Sequence, residues 1–385
     1  MINSLEISNF KKFEKLKLDH LSQVNLFVGT NNIGKTSLLE AIFAFTCGQN
    51  ANPFLSGCVF RRLQGEANLW QSPYSLVESI WNMFHDKKNV QNFCFSFGGD
   101  IDGDWKKVVH HFEPGAIFSD FLPNEMGAFG SGVLPPALED KTNEGENRQG
   151  ETILGRWNIA IDKVDPVIFP VTYPFPSFRE PLPVKNPLIL TKMSDILSHR
   201  NEMENRRVFS FLSRSGLVRE MICELNRCFT GESITDINSI PYPDGSAAPI
   251  TARFANGMSY PLYALGDGMR RWFHLIGSML VYKNAVHCIE EMDATFHHQA
   301  QEDLSYYLCH YSKACGNQLF ITTHNQEYLQ SFLASIKNHE SDSNLSLRDD
   351  IRVITLRKMG HEVRTRTLDG LDAAKALRAG LELRV

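Results

Sequence analysis

Gly29-Thr30-Asn31-Asn32-Ile33-Gly34-Lys35-Thr36 is the stretch on which the fold turns. It has the spacing of a complete phosphate-binding loop, and its flanks suit one. The apolar run Val24-Asn25-Leu26-Phe27-Val28 before it reads as a strand, and Ser37-Leu38-Leu39-Glu40-Ala41-Ile42-Phe43 after it reads as a helix. Gly29 and Gly34 let the backbone curl. The N–H groups of Asn31, Asn32, Ile33, Gly34 and the residues up to Ser37 then converge on phosphate oxygens, with the positive helix end behind them. Lys35 is placed to reach β- and γ-phosphates, and the Thr36 hydroxyl to ligate Mg²⁺.

Composition sets the class. With 385 residues, 43% hydrophobic and 22% charged, the chain is long enough to bury one large core or two smaller ones. A net charge of −5 excludes coating nucleic acid by bulk charge while leaving room for a local basic groove. Eight cysteines show no Cys-x-x-Cys pair, and Met1-Ile2-Asn3-Ser4 opens no secretory leader. No apolar run approaches the roughly 20 residues that span a bilayer. The expectation is a cytoplasmic protein with reduced thiols and no membrane partner.

Along the chain, Leu5–Ser8 and Lys15–Leu18 read as short strands, and Ser72–Phe84 has helical spacing at Leu76, Val77, Ile80, Trp81 and Phe84. Asn92–Phe97, a turn over 98–104 and Trp105–Phe112 read as a hairpin. Residues 113–151, rich in Gly, Pro, Asn and acids, read as a long loop. Strands are expected over 153–161 and 166–171, a helical insertion over 186–260, and then helix, buried strand and helix over 260–308. A hairpin over 351–368 precedes a helix with Ala373, Leu377 and Leu381 on one face. Heptads do not persist, so no long coiled-coil arm is expected. The expected lobes are 1–185 and 261–385, joined by the insertion within one domain.

The second half of a nucleotide site lies far from the first. Ala285-Val286-His287-Cys288-Ile289 runs into Glu290-Glu291, and a buried strand ending in two carboxylates needs a metal or water to meet them. Alone, such a pair reads as a surface strand end. Beside a phosphate loop, Glu290 reads as the support of the Mg²⁺ shell and Glu291 as the group that activates water. Glu290 stands where Asp is usual; its extra methylene suggests action through a metal-bound water. Leu265-Gly266-Asp267-Gly268-Met269-Arg270-Arg271 opens a further helix, with either a second anion site or an ordinary helix-start turn. Ile321-Thr322-Thr323-His324 ends another buried strand, where His324 either reaches a phosphate or caps the strand.

In this order the motifs resemble the ABC-type ATPase heads of the OLD, RecF-like and SMC-like AAA group, strongly over about 1–46 and 258–330. Glu290-Glu291-Met292-Asp293-Ala294-Thr295-Phe296-His297, Thr322-Thr323-His324 and Ile7-Ser8-Asn9-Phe10-Lys11-Lys12-Phe13 match that group's motifs as well. The resemblance implies an α/β, P-loop, two-lobed head with a mixed sheet. It implies ATP and Mg²⁺ as ligands, with Thr36 and Glu290 at the metal, Glu291, Glu290, His324 and Lys35 in catalysis, and Lys11 or Lys12 near the nucleotide. Gly266, Asp267 and Gly268 would complete the site of a facing protomer, giving an ATP-sandwiched homodimer or higher homo-oligomer, with Asp293 at the seam. Gln71 is a candidate for the glutamine loop, which the sequence does not otherwise identify.

The interval between Thr36 and Leu265 is too short for SMC arms, and the residues after His324 too few for the nuclease domain of full-length OLD proteins. The expectation is a stand-alone ATPase of a bacterial anti-phage system, controlling a separately encoded nuclease or toxin. The alternatives are a RecF-like repair ATPase, using Arg348, Arg352, Arg357, Lys358, Arg364 and Arg366 on DNA, and a slow-hydrolysing, nucleotide-gated scaffold.

Overall fold

The computed structural model describes residues 1–59, 73–85, 93–115, 152–173, 184–229, 231–244, 246, 248–294, 296, 298–339, 345–360 and 362–383. The chain starts with β1 (Ile2–Phe10) and β2 (Phe13–Leu18), then enters β3 (Val24–Val28) and α1 (Lys35–Cys47). Next come α2 (Ala51–Phe54), α3 (Pro73–Trp81), β4 (Phe93–Ile101), β5 (Asp104–Pro114), β6 (Thr152–Ile161) and β7 (Val164–Tyr173). The middle holds β8 (Thr191–Ser194), α4 (Glu202–Arg214), α5 (Val218–Cys228), β9 (Ile234–Asn238), β10 (Thr251–Phe254) and β11 (Ser259–Pro261). Last are α6 (Asp267–Val281), β12 (Val286–Ile289), α7 (His298–Ala314), β13 (Gln318–Thr322), α8 (Gln326–Asn338), β14 (Ile351–Met359), β15 (Glu362–Asp369) and α9 (Gly370–Arg378).

Two six-stranded sheets carry the architecture. One is antiparallel, ordered β2-β1-β4-β5-β6-β7; the other is ordered β15-β14-β3-β13-β12-β8 and is parallel except for edge strand β15. β3 is buried at every position, as a strand covered on both faces must be. Its side chains alternate: Phe27 stacks on Phe320 toward α1, whereas Val24, Leu26 and Val28 face a second core built with α6, α7 and α8. Between the sheets lies α1, packed on β1 and β4 from one and on β8, β12 and β13 from the other. That position explains a helix apolar nearly all round. Its one buried carboxylate, Glu40, pairs with Lys11 at 2.6 Å.

The 98–104 turn is tighter than its composition suggested. β4 continues through Ile101, and only Asp102 (φ 51°) and Gly103 (φ 89°) form the bend, both in the left-handed region that a two-residue hairpin requires. Within 186–260 the structure adds β8 and the antiparallel sheet β11-β10-β9 to the two helices. These strands are three to five residues long and mostly polar, too short to show a period of two. The C-terminal helix stops at Arg378, leaving Leu381 exposed. Gln71, His297 and all of 116–151 lie outside the described residues. Among the described residues no helix is long and apolar enough to cross a membrane.

Three buried imidazoles make an acid-labile core. Burial pushes His110 and His274 down to about 3 and His287 to about 4. His110 Nδ1 accepts from Trp157 Nε1 at 3.2 Å, a bond only a neutral ring makes there. Each folded-state value lies below the unfolded one near 6.5, so the unfolded chain takes up protons first as pH falls. Stability is therefore full above about pH 6.5 and falls below it, by on the order of 1 kcal/mol per histidine per pH unit. Urea midpoints at pH 7.5 and pH 5.5 should show this loss, and His110→Gln should reduce its slope.

Candidate nucleotide site

The phosphate loop is shaped by two glycines that admit no side chain. At Gly29 a Cβ would lie 2.9 Å from the Leu356 carbonyl oxygen; at Gly34 (φ 113°) it would lie 3.0 Å from the Phe13 ring and 3.2 Å from Lys12 Cβ. Asn32 takes a left-handed conformation (φ 62°), which Asn tolerates. Gly34 gives α1 no side-chain cap, and its first turn holds no acid, so the N–H groups there remain available to an anion. Lys35 Nζ donates to the carbonyls of Gly29 (2.9 Å) and Thr30 (3.0 Å). Burial lowers its pKa, while the charges of Glu291 and Asp293 raise it.

The acidic side comes from adjacent strand ends. β12 and β13 run parallel, so Glu290-Glu291 and Thr322-Thr323-His324 emerge side by side. The Thr36 hydroxyl donates to Glu290 Oε1, which joins the phosphate loop to the first acid directly. Glu290 is thus long enough to touch the Thr36 hydroxyl itself. Glu291 sits at φ 44°, a strained conformation for its type, with its N–H on Thr322 Oγ1 at 3.0 Å. Its Oε1 lies 3.5 Å from His324 Nδ1. Thr323 Oγ1 donates to Asp293 Oδ1 at 2.7 Å. Lys35, Thr36, Glu290, Glu291, Asp293 and His324 therefore gather at the carboxyl ends of parallel strands, the place where open α/β sheets bind ligands.

The donor set fits magnesium. A hydroxyl and a carboxylate are hard oxygen ligands, and this ion keeps most of its shell from water and phosphate. Among the described residues no cluster of three or more His, Cys, Asp or Glu offers a rival all-protein cage.

Other motif residues divide by position. Lys11 is drawn to Glu40 and the Cys58 carbonyl, whereas Lys12 stands beside Gly34. Gly266 caps α6 in the open, with nothing within 4 Å of an added Cβ. Asp267 is engaged within its own chain by Arg200 (2.6 Å), His199 (3.3 Å) and Arg270 (3.3 Å); the hydrogen bond from Arg200 leads in holding its carboxyl below the usual range. Two of the C-terminal arginines are engaged within the chain: Arg352 donates to the carbonyls of His20 and Arg348, and Arg364 pairs with Glu362.

Two features escaped the sequence. Arg271, almost fully buried, donates to the carbonyls of Glu290 (2.7 Å), Glu291 (2.8 Å) and Ala294 (2.9 Å). An arginine beside a glycine-rich helix start was visible, but its partners are set by tertiary packing. The strand flanking β12 is β8, which ends at Ser194.

Residues 1–94 match a family model described as "AAA ATPase domain", and residues 252–329 one described as "AAA domain, putative AbiEii toxin, Type IV TA system". An ATP/GTP phosphatase of Helicobacter pylori is 24% identical over 344 residues, 86% of this chain and 87% of that protein. The DNA replication and repair protein RecF of Lactococcus lactis is 46% identical over 41 residues, 11% of this chain and 12% of its own length. The fold is similar to that of an SMC head bound to the C-terminal winged-helix domain of ScpA, with TM-score 0.50 and 12% identity over 97% of this chain and 99% of that one.

Proposed function

We propose that the chain is an ABC-type ATPase head of the SMC/RecF class that binds ATP, closes into a homodimer around two nucleotides, and hydrolyses them to control a separately encoded partner. The observation that carries this reading is the bond from Thr36 to Glu290, with Glu291 and His324 alongside. Lys35, on leaving the Gly29 and Thr30 carbonyls, exchanges two neutral acceptors for anionic phosphate oxygens. Thr36 and Glu290 would hold magnesium, which would supply charge neutralisation for the phosphates. Glu291 Oε1 accepts the proton of the attacking water, and His324, one contact away, faces the same reaction centre. Gly266 and Gly268 of a second copy close the site through the open start of its α6.

A regulatory setting, such as anti-phage defence with a nuclease or toxin as client, is supported by the toxin–antitoxin description of the family matched over 252–329. The engagement of Arg352 and Arg364 within the chain weighs against a DNA-reading tail. The test is ATP turnover by the purified chain, with Lys35→Ala as control. Turnover that vanishes in the variant is expected; equal phosphate release by both would overturn the reading. DNA affinity with a steep salt dependence would instead favour the repair alternative.

A further inference from the structure

We propose that Arg200 and His199 are positioning residues for the composite nucleotide site: they seat Asp267 so that the start of α6 can receive a phosphate held by a second copy of the chain. This inference rests on the facing-protomer reading above. Asp267 lies in the first turn of α6, directly after the exposed Gly266, so its charge stands where an incoming phosphate would meet it. Like charges at such range repel, and an uncompensated carboxylate would oppose closure. Arg200 reaches Asp267 Oδ2 from the insertion at 2.6 Å, His199 Nε2 reaches Oδ1 at 3.3 Å, and Arg270 adds a second guanidinium. The carboxylate is thereby turned into one face of a cationic clasp.

The clasp is anchored on the side of the chain's own acids. Asn205 Nδ2 donates to the His199 carbonyl at 2.8 Å, and its Oδ1 lies 3.1 Å from His274 Nδ1. Ser194 meets the other nitrogen of His274 at 3.5 Å, while its carbonyl accepts the Glu290 N–H at 2.9 Å. Asn205 and His274 are buried. The insertion is thus fastened both to the strand end beside Glu290 and to the helix start presented outward.

Trans-complementation tests this. Arg200 is half exposed, so Arg200→Ala should fold; thermal melting checks it. The variant should keep its own affinity for a fluorescent ATP analogue within about threefold and lose turnover by roughly tenfold or more. Arg200→Lys should recover much of the loss. Lys35→Ala should be inactive but retain a sound α6 start. Mixed in equal amounts, Arg200→Ala and Lys35→Ala should regain about a quarter of wild-type turnover, since half of random dimers are mixed and each holds one sound site of two. Wild-type turnover in Arg200→Ala, or no recovery on mixing, would overturn the inference. Light scattering separates it from its premise. If Glu291→Gln stays monomeric with ATP, the facing-protomer reading fails; if it dimerises and Glu291→Gln/Arg200→Ala dimerises equally well, only the clasp falls.

Discussion

Glu291→Gln should lower ATP turnover by about a thousandfold, roughly 4 kcal/mol of barrier, while leaving ATP binding intact and accumulating a nucleotide-bound dimer. Glutamine keeps the length of the side chain, and the residue's backbone N–H remains on Thr322 Oγ1. What is removed is the anionic oxygen 3.5 Å from His324, the proposed acceptor of the proton of water. Binding depends on other groups: the glycine-shaped loop, the uncapped start of α1, Lys35 and the Thr36–Glu290 pair. Single-turnover phosphate release checks the chemistry and light scattering with ATP checks the dimer. Near-wild-type turnover would place the base elsewhere. Slow turnover by a strict monomer would mean that the site is complete within one chain.

The sequence revealed those parts of the site whose chemistry is written in consecutive residues. The phosphate loop is legible because curled backbone requires glycine at 29 and 34, and the structure shows what crowds each. Glu290-Glu291 is legible because the phosphate loop in the same chain gives paired acids at the end of a buried strand a meaning they lack alone. Contacts between distant segments were not. Lys11 and Lys12 look alike in sequence, yet the first points to Glu40 inside the fold and the second stands by the loop. Asp267 read as part of an anion site, and only tertiary structure reveals the guanidiniums that offset it. β8 carries no pattern of its own; its place beside β12 is set by pairing with a strand nearly a hundred positions later. Local chemistry is encoded locally, whereas the groups that hold it in register are drawn from across the chain.

Arg271→Met should be the more damaging change to the molecule as a whole. Its guanidinium is buried and serves the carbonyls of Glu290, Glu291 and Ala294, and it lies 6.0 Å from the centre of the Phe296 ring. Methionine fills much of the volume but removes the charged donor from three part-buried carbonyls, of which that of Glu291 keeps the Ala294 N–H, a loss of about 3–5 kcal/mol by the scale of broken buried charge interactions. Arg271 grips the carbonyls on both sides of the Glu290–Glu291 peptide link, so it also holds the turn in which Glu291 takes its positive φ. A shift of about 1 Å in that side chain would slow hydrolysis by about a hundredfold, beyond the effect of unfolding. Lysine keeps the charge but has no planar fork, so Arg271→Lys should lie nearer to Arg271→Met than to wild type. Urea unfolding gives the stability term, and turnover per folded molecule at low temperature gives the catalytic one. Lost stability with undiminished turnover per folded molecule would reduce Arg271 to a core bond. Loss of both together would make it the link by which the start of α6 and Glu291 are kept in one geometry.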